Sequence, residues 1–182
     1  AVLMSAAEVW LLRAEAALRG YTKENPRTCY EYGVSTSFTQ WDCAGASEYL
    51  ESDKTPADYK DVVSGGKVGK DMKALITISP KWEEDADIET KLEKIITQKW
   101  LACWPGSYEA WAEQRRTGYP KLFKVQNNTG KVIDTDIMIR RLPFSTDAAT
   151  ADPAQYATLT EKLGGADNGA TRLWWDTGKN SF

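Results

Sequence analysis

Leu92–Leu122 reads LEKIITQKWLACWPGSYEAWAEQRRTGYPKL, and the fold turns on this stretch. Ile88, Leu92, Ile95, Ile96, Lys99 and Trp100 recur at helical spacing, which predicts a helix over Ile88–Ala102 with charges on its other face. Trp104, Pro105, Gly106 and Ser107 make a turn, with Ser107 as the cap of a second helix. That helix carries Tyr108, Trp111 and Ala112 inward and ends near Arg116, where Gly118 and Pro120 close it. The stretch is a helical hairpin with a tryptophan-rich seam.

The chain before it repeats the theme. Ser5 and Glu8 form a capping box ahead of a helix that runs to Arg19 and stops at Gly20. Trp10, Ala14, Ala17 and Leu18 share one face. Asn25 and Pro26 open a second helix as cap and first residue, with Tyr30, Val34, Phe38 and Trp41 as its stripe. Gly33 inside that helix costs about 1 kcal/mol against alanine, which predicts a close neighbour. The two helices form an antiparallel hairpin, much like one tetratricopeptide unit.

Elsewhere the signals are weaker. Ser47–Glu51 and Ala57–Val63 are candidate short helices. Gly65, Gly66 and Gly69 mark a loop, and Ala74–Ile78 reads as a short strand or an extended segment. Beyond Pro120 the chain is mostly irregular, with a turn at Asn127–Gly130, an extended piece at Asp134–Arg140 and a helix over Ala154–Lys162 stopped by Gly164 and Gly165. So long a tail stays ordered by wrapping over a scaffold.

Composition excludes several functions. The 182 residues carry a net charge of −3 and no histidine. Without a basic run, nucleic acid is not the partner. Without imidazole there is no Ser-His-Asp or Cys-His nucleophile. Cys29, Cys43 and Cys103 lack metal or redox spacing. On one helix, Cys29 and Cys43 would stand roughly 21 Å apart, beyond the ~7 Å a disulfide spans, so all three are read as reduced and mostly buried. The acidic cluster at Glu83, Glu84, Asp85 and Asp87 lacks the glycine and spacing of a calcium loop. No metal or cofactor is expected. The apolar runs are far too short to span a bilayer. The opening AVLMSAAEVW has no signal-peptide pattern, so the chain reads as an excised piece or a processed product.

Several blocks together carry a resemblance. MSAAEVWLLRAEAALRG (Met4–Gly20), YEYGVSTSFTQW (Tyr30–Trp41), KIITQKWLACWPGSYEAWAEQRRTGYPKL (Lys94–Leu122), RRLPF (Arg140–Phe144) and DNGATRLWWD (Asp167–Asp176) resemble, in order, the C-terminal part of the SusD/RagB family of nutrient-binding outer-membrane lipoproteins. The resemblance covers nearly the whole chain. It implies a mostly α fold of tetratricopeptide-like hairpins covered by long irregular loops, with few or no strands. It implies that residues 1–182 form a single domain, the C-terminal portion of a larger protein whose N-terminal half and lipidated cysteine are absent. It further implies a non-enzymatic protein at the cell surface that binds a glycan or other nutrient and partners a SusC-like TonB-dependent transporter. Membrane association would come only through the absent lipid anchor. The helix surface that the missing half would bury is expected to appear as an exposed apolar patch or to drive dimerisation.

Among the tryptophans, Trp100 and Trp111 sit at core-facing positions, whereas Trp104 lies at the turn. Trp174 and Trp175 are adjacent, so in extended chain their rings point to opposite sides, one anchoring the tail and one open. Trp104, Tyr108 and Trp175 are the candidate ligand-binding residues, because a sugar's apolar face lies flat on an aromatic ring. Arg115 and Arg116 complement the helix dipole, and Arg140 and Arg141 are expected to pair with the acidic faces of the hairpin. Glu109 and Glu113 are read as a solvated face rather than a catalytic pair, which needs a cleft between its carboxylates. The expected function is non-covalent capture of a nutrient, an oligosaccharide above all. A helical-repeat module for protein partners and a glycoside-active enzyme are the alternatives.

Overall fold

In the computed structural model, the described residues are 3–62, 71–126 and 138–178. Among them are seven helices: α1 (Ala6–Leu18), α2 (Pro26–Gln40), α3 (Ala46–Leu50), α4 (Ile88–Ala102), α5 (Ser107–Thr117), α6 (Thr146–Ala151) and α7 (Pro153–Leu163). The one β feature described is an isolated antiparallel bridge between Tyr59 and Met72. The chain falls into two compact units. The first is built from Ala1–Asp58 and Lys73–Leu122; the second is built from Tyr59–Met72 and Phe123–Asn180.

The first unit is built on α1, α2 and α4. Ser5 accepts from the Glu8 N–H at 3.1 Å and Asn25 from the Thr28 N–H at 2.9 Å, so both hairpin helices start at their predicted caps. Gly20 takes a left-handed φ of 75° and ends the first turn out of α1. The core joins Ala7, Leu11 and Ala14 of α1 to Tyr30 and Val34 of α2 and Ile95 of α4. Each large apolar side chain here contributes ~1.5–3 kcal/mol of burial. The buried face of α1 therefore centres on Leu11; Trp10 and Leu18 only flank it. Trp41, expected in the α2 stripe, caps the helix and is exposed. Gly33 meets the predicted close neighbour: a Cβ there would lie 2.6 Å from Leu11 Cγ.

Helix α4 corrects the expectation of a charged outer face. Residues 92–99 are all buried, while Ile88 at its start is exposed. Lys94 is tolerated inside because its ammonium donates to the Ser79 and Lys81 carbonyls, each at 2.8 Å, and has the Glu83 carboxylate as counter-ion at 3.0 Å. Tyr30 donates to the Pro80 carbonyl at 2.5 Å, and burial pushes its hydroxyl far above the ordinary phenol range. These bonds lay the irregular segment before α4 across the helices, as expected of covering loops. Asp87, from the acidic cluster, caps α4 by accepting from the Thr90 N–H at 2.7 Å. Residues 57–62 are not helical, and Ala74–Ile78 is not a strand. Val63 and the glycines at 65, 66 and 69 lie outside the described residues, as do Asn127–Gly130 and most of the expected extended piece at 134–140.

The second unit has another logic. Helices α6 and α7 bury no residue. Asp152 ends α6 and caps α7, accepting from the Gln155 N–H at 2.9 Å; α6 itself was not foreseen. Gly164 closes α7 with φ of 73°. Arg140 and Arg141 pair with Asp176 at 2.7 Å and Asp167 at 2.6 Å.

Candidate functional site

The turn between α4 and α5 is held from within. Lys99 donates to Glu113 at 2.6 Å, both side chains buried, which ties the two helices together. Arg116 reaches both oxygens of Glu15 on α1 at 2.7 Å each and also donates to Glu113. Burial works against a charge at Glu15, but Arg116 and Arg19 outweigh it and hold the carboxyl below its usual range. Glu113 is thus a buried structural anion, not part of a solvated face, and Arg116 bonds carboxylates rather than only complementing the helix end. Glu109 is exposed as expected.

Gly106, not Ser107, is the N-cap of α5, and no side-chain cap bond forms there. Its N–H donates to the Cys103 carbonyl, and a Cβ at this position would lie 2.8 Å from that oxygen. Only glycine fits so tight a turn. Cys103 is buried, and that burial, with Glu8 nearby, pushes its thiol up to about 11. Cys29 is likewise buried, but Cys43 is exposed; all three are free.

The turn presents two open aromatic rings. Trp104 is 71% exposed and Tyr108 is 84% exposed. Tyr108 was expected inward; instead Ala110, Glu113 and Gln114 form the buried face of α5, because the ion pair to Lys99 sets its rotation. Trp111 is half-buried, with the Arg115 guanidinium 3.9 Å from its ring centre. Arg13 covers Trp10 similarly at 3.8 Å. These covered rings cannot take a sugar on that face.

Elsewhere in the same unit is a groove of about 490 Å³. Tyr49, Gln98, Trp100 and Leu101 line it together with Pro56, Ile76 and Ile78. Gln98 donates to the Tyr49 hydroxyl at 2.8 Å across it. Tyr49 lies in a stretch of weak periodicity, and no sequence signal linked it to Gln98.

In the second unit, Trp174 and Trp175 occupy a turn rather than extended chain. Trp174 is 93% exposed and Trp175 is 38% exposed. Asp176 fixes this turn: Arg140 and Arg172 donate to it at 2.7 and 2.5 Å, and its N–H returns to the Leu173 carbonyl at 2.9 Å. Trp174 is the open ring that the sequence did not single out; the adjacency of two tryptophans was its only signal. Among the described residues, no group of three or more His, Cys, Asp or Glu side chains is placed to hold a metal ion, and no helix is long and apolar enough to cross a membrane.

The chain is similar over its full length to known proteins. A SusD homologue from Bacteroides vulgatus is 63% identical over 100% of the chain, with a TM-score of 0.88. A chitin-binding SusD homologue from Flavobacterium johnsoniae is 42% identical over 99%, with a TM-score of 0.86. A SusD homologue from Bacteroides thetaiotaomicron is 36% identical over 98%, with a TM-score of 0.88. The chain spans 37%, 37% and 39% of these proteins respectively. No curated protein sequence matches it significantly. The SusD-like family profile, that of the SusD and RagB outer membrane lipoproteins, matches residues 1–176. The helical hairpins, the covering segments and these matches agree: the chain belongs to the SusD-like family of outer membrane lipoproteins.

Proposed function

We propose that residues 1–182 serve as the C-terminal portion of a larger SusD/RagB-like protein that captures an oligosaccharide at the outer face of the outer membrane. The captured glycan is released unchanged to a TonB-dependent transporter; no covalent step is involved. The observation that carries this reading is the pair of open rings, Trp104 and Tyr108, on a turn held by buried ion pairs. It occurs in a chain 42% identical to a chitin-binding homologue. An indole offers a flat apolar face to a pyranose ring while nearby polar groups order its hydroxyls. A scaffold locked by Lys99, Glu113 and Arg116 spends little binding energy on ordering the turn. Trp175 is the third proposed contact, in the second unit.

Titration with chitotriose and a panel of other oligosaccharides, read by calorimetry, tests the reading. Binding of at least one of them is expected, with Trp104→Ala weakening it about tenfold, equivalent to ~1.4 kcal/mol of stacking. Affinity that is indifferent to both Trp104→Ala and Tyr108→Ala removes the turn from the site. Appearance of cleaved saccharide would make the protein an enzyme and end the proposal.

A further inference from the structure

Thr97 of α4 is 8% exposed, and its hydroxyl has no hydrogen-bond partner. Threonines elsewhere in the helices behave otherwise. Thr39, Thr117, Thr158 and Thr160 each donate to the carbonyl four residues earlier. Nearly all buried hydroxyls are bonded, to protein or to something the protein holds, so Thr97 marks a place where the missing partner comes from outside the chain. It lines the groove of about 490 Å³. Two of its neighbours in that wall also have bonding capacity left. Gln98 donates to the Tyr49 hydroxyl at 2.8 Å, which leaves the Tyr49 proton and the Gln98 carbonyl oxygen without a partner among the described residues. Phe38 fixes the Tyr49 ring, 5.3 Å between centres. Trp100 is half-buried beside them. Unlike Trp10 and Trp111, it has no guanidinium or ring stacked on it among the described residues.

A smaller hollow of about 200 Å³, lined by Val34, Ser37 and Phe38, shares Tyr49, Gln98 and Leu101 with the groove. The Gln98–Tyr49 bond therefore stands between two hollows, and a ligand that touches both is elongated. We propose that this groove is a second saccharide site, in which a short linear saccharide lies across the Gln98–Tyr49 bond with one ring against Trp100 and hydroxyls on Thr97 and Tyr49. The groove is of the size that holds small molecules, ~300–1,000 Å³. The unmade bonds belong to uncharged hydroxyl and amide groups, and they alternate with apolar wall. Sugar hydroxyls both donate and accept, and a sugar ring has an apolar face for the indole. A purely apolar ligand would leave Thr97, Gln98 and Tyr49 unpaired. The site rests on the saccharide reading above for its ligand class, but it uses neither Trp104 nor Tyr108.

Titration of the 182-residue chain with maltotriose, cellotriose and triacetylchitotriose, followed by NMR, tests the site. The indole N–H resonance of Trp100, identified by its loss in Trp100→Phe, shifts with at least one of them. Thr97→Val keeps the shape of the side chain and removes an unbonded hydroxyl. Its melting temperature should therefore hold or rise, while affinity for that saccharide falls about fivefold. Tyr49→Phe should weaken binding to a similar degree. A Trp100 resonance that stays still with all three saccharides overturns the site, and so does affinity indifferent to both Thr97→Val and Tyr49→Phe. Trp104→Ala separates the groove from the turn. Binding that disappears in Trp104→Ala and never moves Trp100 removes the groove and leaves the turn, whereas a Trp100 shift that survives Trp104→Ala supports the groove whatever happens at the turn.

Discussion

In the unit built on α1, α2 and α4, apolar side chains make the interior and ionic groups fill its seams; in the unit carrying α6 and α7, ionic groups do the holding. Leu11, Tyr30 and Ile95 are wholly buried in the first, and Lys99, Glu113, Arg116 and Glu15 link its helices around them. The second gathers backbone around carboxylates. Asp167 accepts from Arg141, from the Phe144 N–H at 3.0 Å and from the Tyr156 hydroxyl at 2.9 Å, while α6 and α7 contribute no buried residue. Apolar burial scales with area and tolerates small shifts. A buried ion pair is worth little beyond its desolvation cost but is expensive to break on one side. The two units should therefore fail under different insults.

The largest effect is expected from Leu11→Ala, which opens a cavity in the first core and costs about 4 kcal/mol. Chemical denaturation followed by circular dichroism measures it, and amide exchange around Asp167 should stay as it was. Next comes Arg141→Ala, which leaves Asp167 without its counter-charge and costs the second unit about 3 kcal/mol. Its signature is faster exchange at Phe144, with α1 and α2 unaffected; equal loss in both units would break the contrast.

Acid should discriminate the same way. Burial opposes the charges of Asp167 and Asp176, but Arg141 and Arg140 respectively outweigh it and hold both carboxyls below their usual range. Depressed carboxyls contribute stability that is complete above the unfolded value, near 4, and is lost as pH falls through the folded values. Stability of the second unit should thus be level from pH 8 to about 5 and decline below about 4. Trp174 and Trp175 report on that region by fluorescence, and a decline that begins near neutrality would contradict the assignment.

Gly33→Ala sharpens the comparison from the packing side. The added methyl collides with Leu11, an overpacking cost of ~1–3 kcal/mol against ~1 kcal/mol of helix propensity regained. A net loss of about 1 kcal/mol is expected, reversing to a gain in the Leu11→Ala background; a double-mutant cycle reads the coupling. The smallest change belongs to Trp104→Ala. An open ring on a turn should alter stability by less than ~0.5 kcal/mol while weakening saccharide binding, so a large loss of stability would recast Trp104 as structural.

Where a signal acts within a turn or two of chain, it was legible. Ser5, Asn25, Gly118 and Gly164 mark helix ends through bonds to neighbours three or four residues away or through a backbone conformation that suits glycine. Ile88–Ala102 was visible because helical periodicity repeats over four turns. The same periodicity misled at Tyr108: only four residues separate the turn from Ala112, too few to set the rotation of α5. Charge pairing was not legible either. The Arg140–Asp176 and Arg141–Asp167 pairs had no signal, because many carboxylates are available and local pattern does not rank them.

The amino-acid sequence by itself determined the five longer helices, the caps of α1 and α2, the hairpin order and the family, because these rest on local bonding and on blocks of residues in a characteristic order. Tertiary structure alone decided which rings are open, which arginine meets which aspartate, and that a groove lies over Gln98, Trp100 and Leu101 of α4. Those features join residues such as Arg140 and Asp176, 36 positions apart, or Glu15 and Arg116, 101 apart. Contacts at that range follow from how helices pack, and packing depends on the shape of every side chain between them.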